Sequence, residues 1–234
     1  MNQFAPDHFF NIDLHSSIKP LFSQIKLVWN IIPLIPSFIE DTIKPAHLGT
    51  IEDGAWIEPN NVFLGPGSHV ERGAIIRGPT IIGANTLVRS GAYIRGHVIT
   101  GEHCMIGAGT EIRNTVLLNY SNIPHQNLIF SSLIGSHVNI GGQTILANRR
   151  LDDGEVSIHI ELEHEIKSYP TGMNRFGAVI GDYTEIGAQS LLNPGAIVGS
   201  SCVIYPHVCG GGYLPSKTIL KATSESVWKN KHEQ

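Results

Sequence analysis

The stretch Leu64–Leu118, LGPGSHVERGAIIRGPTIIGANTLVRSGAYIRGHVITGEHCMIGAGTEIRNTVLL, carries apolar side chains at Leu64, Val70, Ile76, Ile82, Val88, Ile94, Ile106, Ile112 and Leu118. They stand six residues apart, with Thr100 the only polar member of the series. The same beat returns at Ile134, Ile140 and Leu146, and again at Ile180, Ile186, Leu192, Val198 and Ile204. A helix repeats every 3.6 residues and a half-buried strand every 2, so neither yields single apolar positions at intervals of six. A triangular prism does, because each face takes one short strand with one inward side chain and then turns a corner. Three hexads make one coil of about 18 residues, the repeat signature of a parallel β-helix. Glycine often follows the apolar position, as at Gly65, Gly83, Gly141 and Gly187, which suits corners where a Cβ is strained. The two repeat blocks predict roughly seven coils and a prism on the order of 33 Å long.

The 25 glycines and 13 prolines in 234 residues are too many for a helix bundle, where each interior one is costly. A net charge of −4 and a pI near 6.3 give no basic footprint for nucleic acid. Cys104, Cys202 and Cys209 form no paired framework, which points to inert thiols in a reducing compartment. The most apolar window, Leu27–Ile39, contains Pro33 and Pro36 and falls short of the ~20 residues that span a bilayer. Asp7, His8, Asn11 and Asp13 stand where a signal peptide would be basic and then apolar, so the chain is expected in the cytoplasm, with no membrane or nucleic-acid partner.

The expected organisation is a helical cap over residues 1–50 packed on the first coil, a β-helix over 51–220, and a polar tail over 221–234. The beat slips twice. Between Leu118 and Ile134 the interval is 16, which predicts that Asn119–Leu128 leaves the wall as a loop with His125 at its mouth. From 149 to 176 the beat vanishes under a charged insertion, and the alternation in VSIHIELEHEI predicts an excursion strand or hairpin there.

With 18 residues per coil, Arg77, Arg95 and Arg113 stack directly. Their mutual repulsion is about 1–3 kcal/mol per neighbouring pair, so an acid is expected among them, with Glu111 and Glu71 the nearest in sequence. Two uses fit: a solvated face, or a phosphate cradle, since guanidinium forks bind phosphate bidentately and keep their charge. No two histidines lie 18 or 36 residues apart, so no metal site is expected. Asn139 and Asn148 suit corners, where Asn tolerates positive φ.

The run Glu111-Ile-Arg113, then His125, then HVNIGGQTILANRR (137–150), resembles the acetyltransferase domain of bifunctional glucosamine-1-phosphate acetyltransferase/N-acetylglucosamine-1-phosphate uridylyltransferases. TGMNRFGAVIGDYTEIGAQSLLNPGAIVG (171–199) and KPLFSQIKLVWNIIPLIPSFI (19–39) are similar to sugar-phosphate nucleotidyltransferases that carry such a β-helix at their C-terminus; no part resembles their nucleotidyltransferase half. The resemblance implies a left-handed coil, a homotrimer with sites between neighbouring prisms, and acetyl-CoA as co-substrate for N-acetylation of an amino-sugar phosphate in UDP-N-acetylglucosamine biosynthesis. It implies His125 as general base, with Glu111 beside it and Asn148 placing the amine. Arg95 and Arg113 would hold the sugar phosphate, helped by Arg149 and Arg175, and Asn139 would touch the sugar. Gly142 and Ala188 would meet the CoA arm. The chain departs from the pattern at Leu128, where the family commonly has Tyr, and at Phe130-Ser131, where it has Gly-Asp. Two other uses stay open: a non-catalytic trimeric scaffold or regulatory subunit for a separate nucleotidyltransferase, and an acyltransferase on a nucleotide sugar.

Overall fold

The computed structural model describes residues 2–15, 17–162 and 165–222; the expected polar tail lies, beyond Ala222, outside them. Three parallel sheets form the walls of a prism. Face 1 has nine strands, from Ala46–His47 to Tyr213–Leu214, and face 2 has nine, from Thr50–Ile51 to Ile219–Leu220. Face 3 has eight, from Trp56–Ile57 to Cys209–Gly210. The solenoid is thus about nine coils long and not seven. The extra coils lie at the two ends, where the beat is broken by a seven-residue step from Ile57 to Leu64 and by Gly210, which stands in register with Leu192 at an inward position.

The inward positions Leu64, Val70, Ile76, Ile82 and their successors are fully buried. Each contributes about 1.5–3 kcal/mol by leaving water. Thr100, the polar member, occupies an inward position between Ile82 and Leu117, and its hydroxyl accepts the Gly83 N–H at 2.9 Å. At the corner between faces 1 and 2 small hydroxyls tie successive coils: Ser68 Oγ donates to the Gly83 carbonyl and accepts the Thr86 N–H, and Ser121 Oγ joins Gly135 to Val138 in the same way. Buried polar groups are thereby satisfied.

The first slip in the beat is not a loop. Leu117, and not Leu118, is the inward residue, in register with Thr100 below and Ile134 above. Five-residue steps from Ile112 to Leu117 and from Ile129 to Ile134 shorten the coils here to 17 residues and absorb the short interval. Asn122–His125 and Leu128–Phe130 are strands of the wall, so His125 ends a strand at a corner. The same shortening places His103 and His137 on one edge with Tyr120 between them, a histidine column that arithmetic on 18-residue coils misses.

Face 1 is apolar outside as well as inside. Phe63, Ile81, Ile99, Val116, Leu133, Val179, Ile197 and Tyr213 stand in one outward register. The N-terminal segment covers them by running the length of the wall against the direction of coiling. Phe4 packs edge-on against Tyr213 of the last coil, and the helix Ile35–Thr42 leads into the first strand at Ala46. The expectation of a cap on the first coil is therefore corrected: the apolar outer column offers far more area than one coil end. The insertion leaves after Asn148 and forms an antiparallel hairpin, Ser157–Leu162 with Glu165–Pro170. Its Val156, Ile158 and Ile160 join the N-terminal segment over face 1. Cys104 and Cys202 are buried free thiols and Cys209 is an exposed one; burial pushes the Cys104 thiol up to about 12.

Polar contacts at Asp182 and Ser136 help to fasten the N-terminal segment. Asn11 N–H donates to Asp182 Oδ2 at 2.8 Å, the Asp182 N–H donates to the Phe9 carbonyl at 2.9 Å, and His15 Nε2 lies 2.9 Å from Ser136 Oγ. Burial lowers the His15 pKa from its ordinary 6.5, and burial raises that of Asp182. A depressed folded value means that the unfolded chain binds the proton first, so the His15 contribution is complete above pH 6.5 and is lost as pH falls below it. The Asp182 shift has the opposite sign and acts closer to the ordinary carboxylate range. Limited proteolysis of the N-terminal segment should be faster at pH 5.5 than at pH 7.5, and His15→Gln should flatten that difference.

Candidate functional site

At the corner between faces 3 and 1, the last strand residues Arg77, Arg95, Arg113 and Phe130 stand in one register. The stack is relieved unevenly. Arg77 lies over Trp56, 5.6 Å from its ring centre, and its Nε donates to the Tyr93 hydroxyl at 3.0 Å. Arg95 Nη1 donates to Glu111 Oε1 at 2.6 Å, which makes Glu111 the expected acid of the ladder, whereas Glu71 turns to Arg89 at 3.4 Å. Among the described residues no carboxylate lies in ion-pair reach of Arg113.

Arg95 and Arg113 open into a cleft of about 450 Å³, which they line with Pro36, His97, Asn114, Phe130, Ser131, Asn148 and Arg175. Three parts of the chain meet here: the wall, the N-terminal segment through Pro36, and both roots of the insertion. Asn148 stands at the root where the insertion leaves, and its Nδ2 donates to Ser131 Oγ at 3.2 Å. Arg175, at the other root, is held by Asp153 at 3.1 Å. Arg149 is not among the cleft residues: it forks onto the same Asp153 carboxylate through Nε and Nη2. Those two guanidinium groups, Arg149 foremost, pull the Asp153 carboxyl down to about 2. Pro36, His97 and Asn114 were not singled out in the sequence. His97 follows Arg95 by two residues in a series otherwise read for its arginines, and Pro36 arrives only through packing.

The corner between faces 2 and 3 holds the rest. His125, Gly142 and Ala188 form a column there, flanked by Gln126, Gln143 and Gln189. Those three glutamines take positive φ and are joined by side-chain amide hydrogen bonds at 3.1 and 2.8 Å. His125 is exposed. A Cβ at Gly142 would stand 3.3 Å from His125 Cβ and 3.4 Å from its carbonyl oxygen, so the space beside the imidazole depends on glycine at that coil. Asn139 and Ala188 line a neighbouring groove of about 420 Å³ with Glu185, Tyr205 and Pro206. Asn139 lies in a strand of face 2, between Asn122 and Glu185 in register, and not at a corner. The structure thus divides the candidate residues between two edges of face 3. His125 and Phe130 are five residues apart along that face, on the order of 15 Å at strand rise. One chain by itself does not bring the imidazole to the arginines.

Residues 76–166 match the family model described as the GMPPB C-terminal domain. Among curated relatives, the bifunctional protein GlmU of Methanococcus vannielii is 38% identical over 107 residues, 46% of this chain and 23% of that protein. The bifunctional sugar-1-phosphate nucleotidylyltransferase/acetyltransferase of Sulfurisphaera tokodaii is 30% identical over 206 residues, 88% of this chain and 49% of that protein. The chain therefore spans less than half the length of these two relatives. The uncharacterized acetyltransferase YaiX of Escherichia coli is 31% identical over 199 residues, 81% of this chain and 85% of that protein. No helix among the described residues is long and apolar enough to cross a membrane. With its nine hexapeptide coils and a relative matched over most of its length, the chain belongs to the family of GlmU-like acetyltransferase left-handed β-helices.

Proposed function

We propose that the protein transfers the acetyl group of acetyl-CoA to the amine of an amino-sugar phosphate such as glucosamine 1-phosphate, in UDP-N-acetylglucosamine biosynthesis. The observation that carries this reading is the cleft in which Arg95, Arg113 and Arg175 converge with Asn148. Three guanidinium groups around one polar hollow suit a dianionic phosphate, which they would hold by charge-assisted forked hydrogen bonds. Asn148 would orient the amine. His125 would accept the proton that the amine loses as its N–C bond forms and the C–S bond of the thioester breaks, a role suited to imidazole near neutral pH. The column of Gly142 and Ala188 leaves room beside His125 for the pantetheine arm. A backbone N–H at Gly142 would face the oxyanion, an interaction often worth about 3 kcal/mol.

The division of these groups between two corners supports a site shared by neighbouring copies, with His125 from one and the arginine cleft from the next. Face 1 is covered by the chain's own N-terminal segment and hairpin, so faces 2 and 3 are the surfaces left for that contact. Light scattering should give three times the chain mass of 25.5 kDa, and a monomer at micromolar concentration would sink the shared site. Release of free thiol from acetyl-CoA upon addition of glucosamine 1-phosphate tests the activity. Trimers that release no thiol would favour the second reading, a scaffold for a separate nucleotidyltransferase. Phe130 and Ser131 are the observation behind it, since they line the cleft where the resembling acetyltransferases have Gly-Asp.

A further inference from the structure

The corner between faces 1 and 2 carries, far from the arginine cleft, a column of residues with positive φ, four of which bear rings: His103, Tyr120, His137 and Tyr183. Their ring centres lie 4.9, 4.8 and 4.8 Å apart, with planes within 2°, 8° and 4° of parallel. That spacing is the rise of one coil, so the wall itself sets the rings in a parallel stack. The lower end is closed, because Asn85 Nδ2 meets His103 Nε2 at 3.5 Å. The upper end is not. The next rung above Tyr183 is Ser201 and the one after it is Lys217. Serine has no ring, so a ring-sized gap stands over Tyr183, which is 56% exposed. The gap opens into a hollow of about 670 Å³ whose lining includes Tyr183, Ser200, Ser201, Asn11 and Asp13.

We infer that this gap is a binding slot for the base of a nucleoside, which would enter as the fifth ring of the stack. Tyr183 is its floor. Lys217 holds the rung two coil rises, or about 9.6 Å, above, a position from which its ammonium can reach the outer face of the ring, where cation–π attraction would add to stacking. The edge of a base presents donors and acceptors that can meet the Ser201 hydroxyl and Asn11 on the rim, where Asp13 is paired with Lys19 at 2.6 Å and Ser200 with Ser216 at 3.3 Å. The inference rests on the ladder alone and does not depend on acetyl transfer.

Adenosine and uridine are the probes, since neither carries a phosphate that could occupy the arginine cleft. Both should bind at millimolar concentration or below, with base protons shifted upfield by the Tyr183 ring current, and adenosine more tightly because its larger ring covers more of Tyr183. Ser201→Tyr fills the slot. Ser201 already has φ 57°, close to the 61° and 60° that Tyr120 and Tyr183 adopt on this column, so the added ring needs no new backbone. It should raise the melting temperature by a few degrees and weaken both nucleosides tenfold or more, since one stacked base is worth about 1–3 kcal/mol. Tyr183→Ala should weaken them by the same factor. Absence of binding by both nucleosides at millimolar concentration overturns the inference, and so does unchanged affinity in Ser201→Tyr.

Discussion

His125→Ala should lower thiol release from acetyl-CoA by about 10²–10⁴, the range that a general base contributes, while the thermal melt stays where it was. The second half of this result follows from where the residue sits. His125 is exposed at the end of the strand Asn122–His125, and the neighbour that approaches it in the next coil is Gly142. Removing its imidazole leaves no cavity, and surface substitutions of that kind change stability by about ±0.5 kcal/mol. In a trimer the loss should be complementable: mixing His125→Ala with a cleft variant such as Arg113→Gln should restore part of the activity, because some interfaces then pair an intact base with an intact cleft. A His125→Ala enzyme with near wild-type turnover would end the assignment.

Arg113→Gln should weaken the sugar phosphate tenfold or more, the equivalent of losing charge-assisted hydrogen bonds of about 1.5–3 kcal/mol, with CoA affinity hardly changed. Arg95→Gln should cost similar affinity, but the two variants should part company on heating. Stacking alone would have Arg95→Gln relieve repulsion and leave the melting temperature unchanged or raised. The 2.6 Å pair with Glu111 changes that expectation. A partly exposed pair of this kind is worth up to about 1 kcal/mol, so Arg95→Gln should melt slightly earlier. Arg113→Gln removes a guanidinium that meets no carboxylate among the described residues and should melt no earlier than wild type. Arg77→Gln should leave phosphate affinity intact, since that side chain is spent on Trp56 and Tyr93. Unchanged affinity in Arg113→Gln would mean that the ladder is a solvated face.

Much of the site was legible because a solenoid turns sequence separation into height. Arg95 and Arg113 fall in one column by counting alone, and the register shows them there. The same counting failed for His125 and for His103 with His137, because it held the coil at 18 residues. Two five-residue steps, each exchanging one corner residue for a tighter turn, were enough to move a predicted loop back into the wall. Arg149 was placed on substrate by resemblance, and the fold gives it to Asp153 instead.

By itself, then, the sequence determined the parallel coil. The inward side chain of every hexad must leave water, and only a prism of short strands buries positions six apart. The path of the N-terminal segment, the three-way cleft at Pro36, Arg113 and Arg175, and the separation of His125 from the arginines were decided by tertiary structure. They depend on which outer face is apolar enough to need covering and on which corner the insertion leaves, and both are properties of residues brought side by side from different coils.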